Sequence, residues 1–181
     1  DLPVFVSNAY SENGRLMTGA TPAAMVAMLE GMGADAIGIN CSYGPKVLSP
    51  IIDEYLKYSS LPVIFKPNAG IPKSVNGVTK FDVPPEEFGI DVFSAIKKGV
   101  KLAGGCCGTT PDYISALTNA SKGFVPEKTK EKEISMVSSY SHAVIFGEKP
   151  VLIGERINPT GKKRFKEALK SNDMDYILNE G

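Results

Sequence analysis

Ala36-Ile37-Gly38-Ile39-Asn40-Cys41-Ser42 is a short apolar run that ends in a polar, cysteine-bearing turn, and helical spacing follows it, with Leu48, Ile51, Ile52 and Tyr55 on one face. An apolar run without polar alternation fits a strand buried on both faces of a parallel sheet. Working outward, Leu2-Pro3-Val4-Phe5-Val6 is a second such run, closed by Ser7-Asn8. A helix over residues 21–32 follows it, with Met25, Met28, Leu29 and Met32 at helical spacing. Thr21-Pro22 supplies its N-cap and first position. Pro62-Val63-Ile64-Phe65 runs into Lys66-Pro67-Asn68-Ala69-Gly70, and its helix comes late, over residues 85–98, aligning Phe88, Val92 and Ile96. Val100-Lys101-Leu102-Ala103 runs into Gly104-Gly105-Cys106-Cys107-Gly108, after which Thr110-Pro111 opens a helix carrying Ile114 and Leu117.

Four strand-helix units in succession predict right-handed βαβ crossovers and an α/β fold with a parallel sheet. They suit an open doubly wound sheet or half of an eight-stranded barrel. The chain starts at Asp1-Leu2-Pro3-Val4, with no Met and no basic flank, and reads as the middle of something longer, which favours the half barrel. The texture changes after Lys122: Glu127 to Glu133 is mixed charge, expected as a solvated linker or exposed helix. Pro150-Val151-Leu152-Ile153-Gly154 reads as a new strand, and a helix with Phe165, Ala168 and Leu169 on its inner face follows. This is the expected opening of a second α/β domain.

The bulk composition, 43% hydrophobic and 22% charged, is that of an ordinary globular protein. Lys+Arg and Asp+Glu both total 20, which gives no electrostatic reason for a nucleic-acid partner. No apolar run approaches the roughly 20 residues that span a bilayer, so no membrane association is expected. Three cysteines, two of them adjacent, make a poor disulfide framework and point to a reducing, cytoplasmic setting. The single histidine, His142, lies in a polar stretch and reads as a surface loop residue.

Cys41 follows the second strand and Cys106-Cys107 follow the fourth, each at the carboxyl end, the edge on which parallel α/β folds build their sites. Three thiolates suit Zn²⁺; with no fourth cysteine they leave the open position typical of a catalytic rather than a structural zinc. Gly104, Gly105 and Gly108 relieve crowding where adjacent residues turn their sulfurs to one ion. An exogenous thiol in the open position would be held as a thiolate near neutral pH. A metal already bearing three thiolates is a weak Lewis acid, which favours alkyl transfer to sulfur over activation of water. Three other readings stay open on these residues alone: cysteines as small buried hydrophobes, a vicinal Cys106-Cys107 redox switch, and a structural zinc module completed by a distant residue.

The segments around the cysteines resemble the homocysteine S-methyltransferase family. Gly38-Ile39-Asn40-Cys41-Ser42, Lys66-Pro67-Asn68-Ala69-Gly70 and Gly104-Gly105-Cys106-Cys107-Gly108-Thr109-Thr110-Pro111 stand in that family's order, and Gly14-Arg15 with Thr18-Gly19 resembles the loop after its fifth strand. The resemblance covers residues 1–121 and implies the second half of a (β/α)₈ barrel. It further implies zinc on Cys41, Cys106 and Cys107, homocysteine's sulfur as fourth ligand, and methyl transfer giving methionine. Asn68 is expected to contact substrate or fill the fourth position, beside an ordinary role in turn chemistry.

Residues 122–149 are then a linker, and residues 150–181 begin a pterin-binding domain. Gly154-Glu155-Arg156-Ile157-Asn158-Pro159-Thr160-Gly161 resembles the first strand and loop of the pterin-binding barrel in cobalamin-dependent enzymes of this kind. The implied donor is methylcobalamin, carried by a separate cobalamin-binding module and recharged by methyltetrahydrofolate. Glu155 and Asn158 are expected near the pterin, or simply capping the strand-helix loop. A homocysteine methyltransferase with another methyl donor is the alternative that such a tail disfavours. The first half of the first barrel, with acidic residues expected to bind homocysteine's amino group, is missing from this sequence, so turnover by this segment alone is not expected.

Overall fold

A computed structural model describes residues 2–147, 149–154 and 157–180. Strand β1 (Phe5–Asn8) leads to helix α1 (Pro22–Gly31), β2 (Ala36–Asn40), α2 (Pro45–Tyr58) and β3 (Val63–Lys66). A hairpin, β4 (Pro72–Val75) and β5 (Val78–Phe81), precedes α3 (Pro85–Lys98), β6 (Leu102–Ala103) and α4 (Pro111–Ala120). A second hairpin, β7 (Ser135–Ser138) and β8 (Ala143–Phe146), precedes α5 (Lys163–Ser171) and α6 (Met174–Glu180). The helices start where their sequences allow. Thr21 caps α1 by accepting the Ala24 N–H at 3.3 Å, and proline stands in the first turn of each helix from α1 to α4. In α3, Glu86 and Glu87 face the positive end of the helix dipole and Lys97 and Lys98 the negative end.

β1, β2, β3 and β6 form a four-stranded parallel sheet in that order. Phe5 pairs with Ala36 and Asn8 with Ile39; Ile37 pairs with Val63 and Asn40 with Lys66; Ile64 pairs with Leu102. The two faces differ. Ile37, Ile39, Val63 and Phe65 enter the core with Val26 and Leu29 of α1, Ile52 and Tyr55 of α2, Phe88 and Val92 of α3, and Leu117 of α4. The opposite face carries Phe5, Ser7, Ile64, Lys66, Leu102 and Ala103, which line a concavity of about 220 Å³. The strands stand in chain order, and the helices pack against one face of the sheet. Gly38 lets β2 and β3 approach: a Cβ there would lie 2.0 Å from the Ile64 carbonyl oxygen.

Several expectations change. The β3-to-α3 connection is not a plain loop but holds the β4–β5 hairpin, turned at Asn76-Gly77 with both residues at positive φ. The stretch read as a linker, 122–149, contains the β7–β8 hairpin, which packs beside α1; the Thr21 N–H donates to the Ser141 carbonyl at 3.0 Å, and Met136 packs against the core. Pro150–Gly154 is not a strand: it has no sheet partner among the described residues, and Leu152 is 99% exposed. A lone extended segment leaves its N–H and C=O groups to water, so an apolar run becomes a strand only where a neighbour pairs with it.

The chain divides into two compact units, residues 1–147 and 148–181. In the second, Phe165 and Ala168 are buried as expected whereas Leu169 is exposed, and the Arg164 guanidinium stacks over Tyr176. Among the described residues no helix is long and apolar enough to cross a membrane.

The closest helix pair is α3 with α4, where a Cβ on Gly89 would meet the Ala116 backbone at 2.8 Å. Fully buried Phe88 meets Tyr113 edge-to-face, centroids 5.3 Å apart, and the Tyr113 hydroxyl donates to the Val83 carbonyl at 2.7 Å. Phe88→Ala is expected to cost about 3–5 kcal/mol, seen as a lower urea midpoint for the first unit with little change in the slope of the transition.

Candidate metal centre

The carboxyl ends of β2, β3 and β6 are laced together by backbone hydrogen bonds. The Cys41 N–H donates to the Lys66 carbonyl at 3.0 Å, extending the β2–β3 ladder by one residue. Cys41 and Ser42 then turn sharply, both left-handed at φ 62° and 67°. Two successive non-glycine residues in that region are costly, and such strain persists where its surroundings over-determine it, which is often at functional sites. Behind the turn, the Tyr43 N–H returns to the Cys41 carbonyl and the Asn68 N–H reaches the Tyr43 carbonyl, each at 3.0 Å.

The β6 loop is tied to the same β3 loop. The Gly104 N–H donates to the Phe65 carbonyl at 3.1 Å, Cys106 N–H to Pro67 at 2.9 Å, and Ala69 N–H to the Cys107 carbonyl at 2.9 Å. The Cys107 N–H donates to Asn68 Oδ1 at 3.0 Å, and the Thr109 hydroxyl donates to the Cys106 carbonyl at 2.7 Å. Gly108 adopts φ +79° under the Phe81 ring of the β4–β5 hairpin, where a Cβ would lie only 2.3 Å from a ring carbon. The hairpin therefore rests on the cysteine loop.

These contacts bring together the three cysteines expected from the sequence. All three Sγ atoms lie within 4.8 Å of one another, and Cys41 Sγ is 3.7 Å from Cys107 Sγ. Tetrahedral zinc with Zn–S bonds of about 2.3 Å needs sulfurs roughly 3.8 Å apart, so the donor set fits zinc in kind and in spacing. No fourth His, Cys, Asp or Glu joins the group among the described residues. Cys41 and Cys106 are half-buried and Cys107 is exposed.

Asn68 is brought into the same cluster. It is 5% exposed, and its Oδ1 accepts the Cys107 N–H. Glu155 lies outside the described residues. Asn158 is half-buried, and its Oδ1 accepts the Thr160 N–H at 2.8 Å, a turn-capping bond in the second unit. Two contributors were not singled out in advance: the Ser42 N–H and the Phe81 ring. The first depends on a left-handed turn that no residue type announces; the second was signalled only by the Asn76-Gly77 hairpin dipeptide.

Electrostatically the thiols are unequal. The backbone N–H of Ser42 stabilises a thiolate on Cys41, with help from Cys107, Cys106 and Asn68, and holds its pKa below the usual cysteine value against the opposing effect of burial. The Cys41 and Cys106 sulfurs beside it push Cys107 up to about 11, because one small volume without a cation resists a second negative charge. In metal-stripped protein, a lowered pKa means that Cys41 is a thiolate at pH values where Cys107 still keeps its proton. Iodoacetamide labelling at low extent, followed by mass spectrometry across pH 6 to 11, is therefore expected to modify Cys41 first and the more exposed Cys107 only toward about pH 11; the reverse order would contradict this electrostatic picture.

The family model described as homocysteine S-methyltransferase matches residues 1–121. A methionine synthase of Mycobacterium leprae (strain TN) is 35% identical over 98% of this chain, which spans 15% of that protein. A methionine synthase of Mycobacterium tuberculosis (strain ATCC 25618 / H37Rv) is 32% identical, again over 98% of this chain and 15% of its own length. Among solved structures, the oxidized form of the homocysteine methyltransferase MmuM from Escherichia coli aligns with 64% of this chain and 35% of its own, at 24% identity and a TM-score of 0.49.

Proposed function

Since the chain belongs to the homocysteine S-methyltransferase family, we propose that Cys41, Cys106 and Cys107 hold zinc and that homocysteine is methylated there to methionine. The observation that carries this reading is the convergence of three thiols from two separate strand-end loops at spacings a tetrahedral zinc ion accepts. A vicinal redox switch would use Cys106 and Cys107 alone; the 3.7 Å approach of Cys41 to Cys107 favours a three-thiol centre.

The chain's own residues perform distinct tasks. The three cysteines are the metal ligands. Asn68 fixes the relation between the two ligand-bearing loops, accepting the Cys107 N–H with its side-chain oxygen while its backbone N–H donates to the Tyr43 carbonyl. Held by these three cysteines, zinc would supply the Lewis acidity that keeps a substrate thiol ionised near neutral pH. The substrate thiol gives up its proton on binding, the sulfur lone pair forms the new bond to the methyl carbon, and the donor departs with the electrons of the bond that breaks.

In the same reading the sheet is the second half of a (β/α)₈ barrel over residues 1–121, and residues 150–181 open a pterin-binding domain, with Glu155 and Asn158 near the pterin. The activity is that of a cobalamin-dependent methionine synthase. Methylcobalamin on another module is the donor and methyltetrahydrofolate recharges it. Similarity to methionine synthases across 98% of the chain, tail included, supports this choice of donor. The free thiols accord with a cytoplasmic setting.

Zinc K-edge absorption is the direct test: three sulfurs and one light atom are expected, becoming four sulfurs when homocysteine is added. In the complete protein, Cys41→Ala should lose stoichiometric zinc and lower methyl transfer by more than about a hundredfold, the upper end of what loss of an outer-shell partner costs. A metal spectrum indifferent to homocysteine would overturn the reading.

A further inference from the structure

The uncovered face of the parallel sheet holds one feature the metal chemistry does not use. Lys66, the last residue of β3, lines the 220 Å³ concavity with Phe5, Ser7, Ile64, Leu102 and Ala103, so its stem lies on a mostly apolar wall. Lysines on the helical side and in the loops find partners: Lys46 with Glu87, Lys73 with Asp82, Lys98 with Asp53, and Lys101 with the Glu127 carbonyl. Lys66 makes no ion pair or side-chain hydrogen bond among the described residues. Lys66 is half-buried, with its stem on this wall, so its ammonium is open to water and to an anion that reaches the concave face.

Its place in the sheet says what such an anion would be next to. The Lys66 carbonyl accepts the Cys41 N–H at 3.0 Å, and Lys66 pairs with Asn40, the residue before Cys41. β3 lies between the two strands whose loops carry the cysteines. Lys66 therefore stands at the strand end between the thiol-bearing loops and lines the concave face. Homocysteine has three carbons between its sulfur and its carboxyl carbon, and a lysine stem is long and flexible. A substrate held by its sulfur at the three-cysteine site can thus extend its carboxylate over this wall.

We infer that Lys66 binds the carboxylate of the amino-acid thiol substrate and so selects homocysteine over thiols that lack a carboxylate. This rests on the proposed function of the three-cysteine site and adds a second point of attachment to it. The sulfur fixes where the substrate binds and Lys66 fixes how it is turned.

The test uses the complete protein, with Lys66→Met and Lys66→Arg compared with the wild type. The substrates are homocysteine and 3-aminopropane-1-thiol, its analogue with hydrogen in place of the carboxylate. Lys66→Met keeps the stem and removes the charge; it should raise KM for homocysteine by about ten- to a hundredfold, the range for a lost charged hydrogen bond, with kcat and zinc content little changed. Lys66→Arg should recover part of the loss. The wild type should prefer homocysteine over the analogue by a similar factor, and Lys66→Met should no longer distinguish them. An unchanged KM for homocysteine in Lys66→Met, or equal losses for both thiols, would overturn the inference while leaving the metal reading intact. A wild-type zinc spectrum that fails to respond to homocysteine would overturn both.

Discussion

Hydrogen bonds from both flanking loops onto the short segment after β3 are the constraint on which the candidate centre depends. Lys66 accepts from Cys41, Pro67 accepts from Cys106, Asn68 is joined to Tyr43 and Cys107, and Ala69 donates to Cys107. None of these is a large energy alone; a single intramolecular hydrogen bond contributes about 1 kcal/mol net. Together they remove the freedom of two loops whose cysteines are 65 or more residues apart in sequence. The middle strand end acts as a ruler, and the thiols meet because their backbones are registered to it.

That ruler works because the sheet behind it is rigid. Val63 and Phe65 are buried against helices on one side while Ile64 and Lys66 face the concavity on the other, so β3 has no rotational choice. The same arrangement leaves the concave wall open, with Phe5 55% exposed on β1. A parallel sheet normally hides both faces, and here the helices hide only one. The concave wall begins at the strand end that joins the two cysteine loops, with Ser7 and Lys66 among its lining residues.

Much of this could be read from residues. The four apolar runs ending in polar turns became the four parallel strands, and α3 occupies residues 85–98 as its pattern of Phe88, Val92 and Ile96 implies. The cysteines at two strand ends were legible because parallel topology sends carboxyl ends to one edge. The two hairpins were not, for opposite reasons. β4–β5 is built from Lys73, Ser74, Thr79 and Lys80 and has no apolar run, only its turn dipeptide. β7–β8 follows the charged stretch 127–133; Ala143-Val144-Ile145-Phe146 is apolar, but its partner strand is half polar and the hairpin gains its place from packing beside α1, a tertiary effect. Pro150–Gly154 failed in the other sense: the apolar run is present, but a strand requires a partner and sequence pattern alone cannot supply one.

The left-handed turn at Cys41-Ser42 decides between a site organised in advance and thiols that merely lie near one another. A flexible loop could bring a cysteine toward an ion and fold around it, with the cost of ordering the loop subtracted from the affinity. Here the turn is already made, and the Ser42 backbone favours a thiolate on Cys41, lowering its pKa. Cys107, by contrast, is held back from ionising by the two sulfurs beside it. A divalent cation would offset that effect, so the donor set suits a metal ion. A disulfide between Cys106 and Cys107 would leave the Cys41 sulfur, 3.7 Å from Cys107, without a role, whereas a metal-binding reading uses all three.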